Sequence, residues 1–306
     1  MNLRVTGQAQ TAATLVQIRR QAASQAKYQD QISTGDRVKV ASDDPAAYAS
    51  LSQSKAASGA FANSLQVVST ATSGLDASVS ALLDGNQVLT RAKQLAITGA
   101  DASTDSSNFE GLATELDSLI DRFTQAANTQ FDGDYLFGGD NTKSQPFRAT
   151  GTNGQGRPTA VTYDGSATPA QTVIGGNQTV ETRAVGSNTF SGAFDTLIQL
   201  RDTFRDKTLT DAQKATAINQ SIAKIDTASS ALNNTISVQS STLSGLDAVQ
   251  NRLQDLKLAA DTRVGDLGAT DYADAVLHLK EQESAYQSTL SLAANFVPPS
   301  LFDFIK

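Results

Sequence analysis

Two long heptad seams, one on each side of a turn-rich stretch, restrict the fold of this chain more than any other feature. In the first half Phe61, Leu65, Val68, Thr72, Leu75, Val79, Leu82, Asn86 and Leu89 alternate spacings of four and three without a slip. In the second half Ile218, Ile222, Ile225, Leu232, Ile236, Leu243 and Leu246 share one seven-residue seam, in which Ser229 and Gln239 also hold positions. Val249, Leu253, Leu256, Ala260 and Val264 continue it after a three-residue slip, a stammer that overwinds a coiled coil locally. A stripe this narrow buries little by itself, so each seam needs a helical partner, and the simplest arrangement pairs the two.

The flanking segments follow the same logic. Leu15, Ile18, Ala22 and Ile32, with Gln25 and Gln29 between them, form a polar-diluted seam that predicts an N-terminal helix of modest stability. Gly35 suits the left-handed residue that ends a helix. A second helix starts after SDDP, and GADASTDSSN (99–108) reads as a loop. A third helix carries Leu112, Leu116, Leu119, Ile120 and Phe123 on one side. From 132 to 192 the chain is rich in Gly, Thr, Asn and Pro, and AVTYD (160–164), QTVI (171–174) and TVETRAV (179–185) read as short strands. Helix returns at about Gly192, with Phe194, Leu197, Ile198, Leu200 and Phe204. The last long helix follows Thr210 and Asp211, a capping pair. A Gly-containing break at 264–274 then precedes a terminal helix and the tail PPSLFDFIK.

The prediction is a mainly α protein: an elongated helical bundle or coiled coil built from both chain ends, with a small inserted β-rich domain. Its divisions are a terminal assembly helix (1–40), bundle helices (41–131), the β-rich insert (132–192), bundle helices (193–268), and a terminal helix with its tail (269–306).

Composition excludes several functions. With 24 Lys plus Arg against 31 Asp plus Glu, the net charge of −7 and the lack of a basic run argue against nucleic acid or an anionic membrane surface. No cysteine means no disulfide framework, thiolate nucleophile or Cys-ligated metal. No stretch approaches the roughly 18 apolar residues of a membrane span. The N-terminus MNLRVTGQAQTAATLVQIRRQ has no continuous apolar core of a signal peptide, so no ordinary cleaved secretory route is expected.

The candidate chemistry is equally thin. Asp43 and Asp44 are adjacent, and neighbouring carboxylates rarely converge on one pocket as acid–base chemistry needs. They read as a helix start instead, with Ser42 or Asp44 as the cap, acids near the positive end of the helix dipole, and Pro45 in the first turn. His278 is the only histidine, and LHLKEQE lacks the second His of a zinc-protease helix. GTNGQG (151–156) is not followed by Lys-Ser/Thr, so it is not a phosphate loop. The reading is a non-enzymatic chain with no cofactor and no metal.

Three blocks then carry a resemblance. QISTGDRVKVASDDPAAYASL (31–51) resembles the N-terminal signature of the flagellin family, although Asp36 stands where Lys is common. GDYLFGGDNTKSQPF (133–147) is similar to the Y-L-F-G-G…P-F signature of the hook–filament junction branch of that family. DYADAVLHLKEQESAYQSTLSLAANFVPPSLFDFIK (271–306) resembles the same branch's C-terminus. The resemblance implies a structural subunit that leaves through the flagellar type III export apparatus without a cleaved signal peptide. It implies an extracellular place at the hook–filament junction. The implied partners are hook-associated protein 1, flagellin, copies of itself in a ring and a flagellar export chaperone, with no nucleic acid and no membrane.

For the residues, it implies that Gly35, Asp43, Asp44 and Pro45 shape the connection between helices. Tyr135, Leu136, Phe137, Gly138, Gly139, Pro146 and Phe147 would be structural signature positions. In assembly, Leu3, Val5, Leu15, Ile18 and Ile32 would pack against Leu290, Leu292, Phe296, Leu301, Phe302, Phe304 and Ile305. Flagellin itself, the filament subunit, is the alternative; a cytoplasmic coiled-coil adaptor accounts for the heptads alone.

Overall fold

The structure, a computed structural model, describes the backbone of residues 2–101, 106–154, 156–175 and 178–296, and side chains over the same span except 2–11, 106–107 and 294–296. In chain order the elements are α1 (Asn2–Thr34), α2 (Pro45–Ala100), α3 (Ser106–Ala127), β1 (Gln130–Phe131), β2 (Asp134–Tyr135), β3 (Phe147–Thr152), β4 (Pro158–Tyr163), β5 (Ala170–Gly175), β6 (Gln178–Arg183), α4 (Gly186–Arg205), α5 (Asp211–Gly268) and α6 (Tyr272–Phe296). They form two units: residues 61–255, and residues 1–60 together with 256–306. The fold is mainly helical with a small β region, as the sequence predicts.

In the 61–255 unit, α2 and α5 pair antiparallel. Asn86 Nδ2 donates to Asn233 Oδ1 at 2.8 Å, and Lys93 Nζ reaches Asp226 Oδ1 at 2.5 Å. The face α2 buries differs from the predicted one by half a seam. Val68, Leu75, Leu82 and Leu89 are fully buried, as expected. Their alternating partners, however, are Ala71, Ser78, Gly85 and Ala92, while Leu65, Thr72, Val79 and Asn86 are only half-buried. Small residues win because neighbouring side chains come close: a Cβ on Gly85 would stand 3.0 Å from Leu232 and 3.3 Å from Phe123, and one on Gly99 would overlap the Phe204 ring at 2.5 Å.

The centre of this unit is aromatic. Phe123, Phe137, Phe147, Phe190 and Phe194 are almost completely buried and meet mostly edge to face, with ring centroids 4.8 to 5.6 Å apart. Such pairs add about 1 kcal/mol each beyond their area burial. Beside them Arg201, wholly buried on α4, donates to the Pro158 carbonyl at 2.8 Å and to Asp202 at 2.6 Å, and stands 3.5 Å from Asp117 on α3. Arg205 reaches Asp117 at 2.9 Å and Glu110 at 3.1 Å; Arg157, at the entry to β4, reaches Asp117 at 3.6 Å. Three guanidiniums on one buried carboxylate tie β4 to α3 and α4.

The strands form three two-stranded antiparallel ladders, β1–β2, β3–β4 and β5–β6. Phe147 opposes Tyr163 in the second, and Ala170 opposes Arg183 in the third. α4 starts at Gly186, six residues before the expected Gly192. Gly-Ser-Asn-Thr has low helix propensity, and tertiary contact overrides it: the Gly186 N–H donates to the Phe137 carbonyl at 3.0 Å, leaving no room for a side chain. At α5, Thr210 and Gln213 form a reciprocal capping box: the Thr210 N–H donates to Gln213 Oε1 at 3.0 Å, and the Gln213 N–H to Thr210 Oγ1 at 3.4 Å.

In the other unit α1 and α6 lie antiparallel, with the Tyr28 and His278 rings stacked at 5.4 Å. The buried apolar residues here are Val38, Ala47, Leu51 and Ala275, with Val264 and Leu267 packed against the first three. No helix among the described residues is long and apolar enough to cross a membrane.

Candidate assembly interface

The turn between α1 and α2 is held by local chemistry that the sequence displays. Gly35 takes φ +78°, and its N–H donates to the Gln31 carbonyl at 2.8 Å, closing α1. Asp43 Oδ2 accepts the N–H groups of Lys39 and Val40, both at 3.2 Å. Those two bonds hold its carboxyl below the usual carboxylate range, against a small opposing effect of burial and with help from Lys27. Asp44 Oδ1 accepts the Ala47 N–H at 3.0 Å, which makes Asp44 rather than Ser42 the cap of α2, and that bond lowers its pKa. Pro45 is the first residue of α2. The two carboxylates are thus committed to backbone donors, one on the turn and one on the helix.

This turn is bound to the turn between α5 and α6. The Arg37 N–H donates to the Gly268 carbonyl at 2.7 Å, and the Thr270 N–H donates to the Gly35 carbonyl at 2.8 Å, making a bridge between Asp36 and Ala269. Arg37 Nη2 adds a bond to the Leu267 carbonyl at 2.8 Å, and the buried Gln31 Nε2 donates to the Arg37 carbonyl at 3.0 Å. Gly35 also lies against Tyr272, whose Oη would stand 2.9 Å from a Cβ there.

Above this clasp, α1 and α6 face each other with mostly polar side chains. The half-buried residues of α1 include Thr14, Ile18, Gln21, Gln25, Tyr28 and Ile32; those of α6 include Leu279, Gln282, Tyr286, Thr289 and Ala293, with Ala275 fully buried. The expected assembly residues divide. Ile18 and Ile32 lie on the mutual face, whereas Leu15, Leu290 and Leu292 are 50%, 42% and 59% exposed among the described residues. Leu15 and Ala22 fall on the outer side because the mutual seam runs through Thr14 and Gln21, one residue earlier. The side chains of Leu3, Val5 and Phe296 lie outside the described residues, as do Leu301, Phe302, Phe304 and Ile305 entirely.

Val16, Val40, Tyr48, Leu256, Leu258, Tyr272, Val276 and Leu277 are exposed in this unit too, and the sequence reading singled out none of them for assembly. Leu256 stood on the predicted seam and is exposed all the same; the others were apolar residues off it. His278 lies 3.0 Å from Glu281 and 3.5 Å from Asp274. Among the described residues no group of three or more His, Cys, Asp or Glu is placed to hold a metal ion.

The second signature block belongs to the core of the 61–255 unit. Leu136, Phe137, Pro146 and Phe147 are buried and Tyr135 is half-buried. A Cβ on Gly138 would stand 2.5 Å from the Asn141 carbonyl, and one on Gly139, at φ +65°, 2.6 Å from that of Thr168. The Gly138 carbonyl accepts the Ser166 N–H at 2.9 Å, and the Asp140 N–H donates to the Thr168 carbonyl. The Asn128 side chain pairs like a strand, accepting the Phe147 N–H at 3.0 Å and donating to its carbonyl at 2.9 Å.

Residues 5–142 match the model of the bacterial flagellin N-terminal helical region. Among solved structures, the chain resembles a flagellar hook-associated protein of Vibrio parahaemolyticus (20% identity, 74% of this chain and 100% of that one, TM-score 0.65). It also resembles FlgL of Xanthomonas campestris (17%, 70% and 99%, TM-score 0.59) and the flagellar junction protein FlgL of Legionella pneumophila (15%, 71% and 100%, TM-score 0.55). Its fold is therefore that of these flagellar hook-associated and junction protein structures. No curated protein matches the sequence.

Proposed function

We propose that this chain is a non-enzymatic adaptor of the bacterial flagellum, set between hook-associated protein 1 and the flagellin filament. It is exported by the flagellar type III apparatus with a dedicated chaperone and assembled as a ring through α1 and α6. One observation carries the reading. In a chain whose residues 5–142 match the flagellin N-terminal region, the pair α1 and α6 has a mostly polar mutual face and leaves Leu15, Val16, Val276, Leu277, Leu290 and Leu292 exposed. Apolar surface of this kind marks a protein–protein contact, and a helix pair so thinly joined gains most of its order from a neighbour.

Deleting the gene and imaging the hooks tests it. Bare hooks, with flagellin lost to the medium, are expected; hooks still bearing full filaments overturn the adaptor role. The match to the flagellin N-terminal region also supports a second reading, a filament subunit. The two part on self-polymerisation, since a flagellin extends long filaments from seeds and an adaptor stops at a short ring.

A further inference from the structure

The outer faces of α1 and α6 carry two rows of equal length. On α1, Ala12, Leu15, Arg19, Ala22 and Ala26 follow three–four spacing and are all exposed. On α6, Val276, Lys280, Glu283, Gln287 and Leu290 follow four–three spacing; all are exposed except the half-buried Glu283. Arg19 is the midpoint of the first row and Glu283 the midpoint of the second. Neither has an ion pair or side-chain hydrogen bond among the described residues. The wider charge is complementary as well. Arg19, Arg20 and Lys27 outnumber Asp30 on the described part of α1, while Asp274, Glu281 and Glu283 outnumber Lys280 on α6.

We propose that the α1 outer row of one copy docks antiparallel on the α6 outer row of the next copy, with Arg19 opposite Glu283 as the register key. The inference rests on the assembly reading above and names its contact. Copies arranged with the same polarity around a ring present α1 and α6 to each other antiparallel, because the two helices are antiparallel within each chain, and the contact is heterologous. With Arg19 on Glu283, Ala12 meets Leu290 and Ala26 meets Val276, so the large apolar side chain at each end faces a small one. A slip by one heptad leaves both charges on apolar neighbours, the way a polar seam residue fixes register in a coiled coil. Opposite charge also selects the right partner face.

The absence of native cysteine allows a direct test. Full-length Ala12→Cys and Leu290→Cys proteins are mixed at rising concentration under mild oxidation, so that a disulfide between the two variants can only join different chains. The expected result is cross-linked dimers that appear with assembly, as followed by sedimentation. Arg19→Glu should cut their yield about tenfold, and adding Glu283→Arg in the same chain should restore it, with unchanged circular dichroism throughout. Assembly without the cross-link, or a double variant no better than the single one, overturns the contact while leaving the assembly reading standing. A wild-type protein that forms no assembly and never reaches hooks overturns both.

Discussion

The two units use the same secondary structure to opposite ends. In residues 61–255 the core is aromatic and shut: the five central phenylalanines are buried, and Leu83, Ile97, Val173 and Val238 are the exposed large apolar side chains. Among the described residues of 1–60 and 256–306 the buried apolar residues are Val38, Ala47, Leu51 and Ala275, and most of the described large apolar residues that are exposed lie in this unit. One unit satisfies itself. The other is joined by backbone bonds at its clasp, has mostly polar side chains between its helices, and leaves many of its described large apolar residues exposed. Helical content says nothing about which is which; the placement of large side chains does.

The comparison predicts a graded response to mutation. Phe194→Ala removes a ring 4.9 Å from that of Phe123 and 5.3 Å from that of Phe147, and should lower the denaturant stability of the 61–255 unit by about 4 kcal/mol. Asp117→Leu leaves the buried Arg201 without its α3 partner and should lower it by about 3 kcal/mol, with earlier proteolysis of the β3–β4 hairpin. Val38→Ala, in the small core of the other unit, should cost about 1.5 kcal/mol. Hydrogen exchange should then rise at Arg37 and Thr270 and not in the aromatic core. A loss as large as that of Phe194→Ala would break the comparison.

Acid should act on the clasp as well. Asp43 and Asp44 have lowered pKa values in the folded chain, so their contribution is present above the unfolded carboxylate pKa of about 4 and is lost as pH falls through their folded values. Exchange of the Lys39, Val40 and Ala47 amides, corrected for intrinsic pH dependence, should rise below about pH 4. Leu290→Ser with Leu292→Ser should change single-chain stability least, by about 0.5 kcal/mol or less, while lowering incorporation into flagella. A large loss of stability in the isolated chain would mean that these leucines already have an intramolecular partner.

What the sequence disclosed depended on the range of the interaction. Gly35, Asp44, Pro45 and Thr210 were legible as helix ends because capping is decided within four residues. Val68, Leu75, Leu82 and Leu89 were legible because size and periodicity agree. Ala71, Ser78, Gly85 and Ala92 were not, since nothing local says that Leu232, Phe123 and Phe204 crowd that face of α2. The start of α4 depended on a carbonyl at Phe137, and the two-residue strands β1 and β2 are too short to show a period. Nothing local in the sequence marks Arg201 and Asp117 as interior; the meeting of α3, α4 and β4 buries them. Leu15, Leu290 and Leu292 were recognisable as apolar, but their exposure is a property of the helix pair.

Four long-range polar contacts of the larger unit are nested. Arg201 and Asp117 are 84 residues apart in sequence, and Arg205 and Glu110 are 95 apart. Lys93 and Asp226 are separated by 133, and Asn86 and Asn233 by 147. Each pair encloses the one before. Once the innermost has closed, every later pair closes only a short additional loop, at a small further entropic cost. The nesting predicts an order of folding, with a centre around α3 and α4 first and α2 and α5 closing outward like a zip; pulsed hydrogen exchange should then protect the amides around Asp117 and Arg201 before those around Asn86 and Asn233.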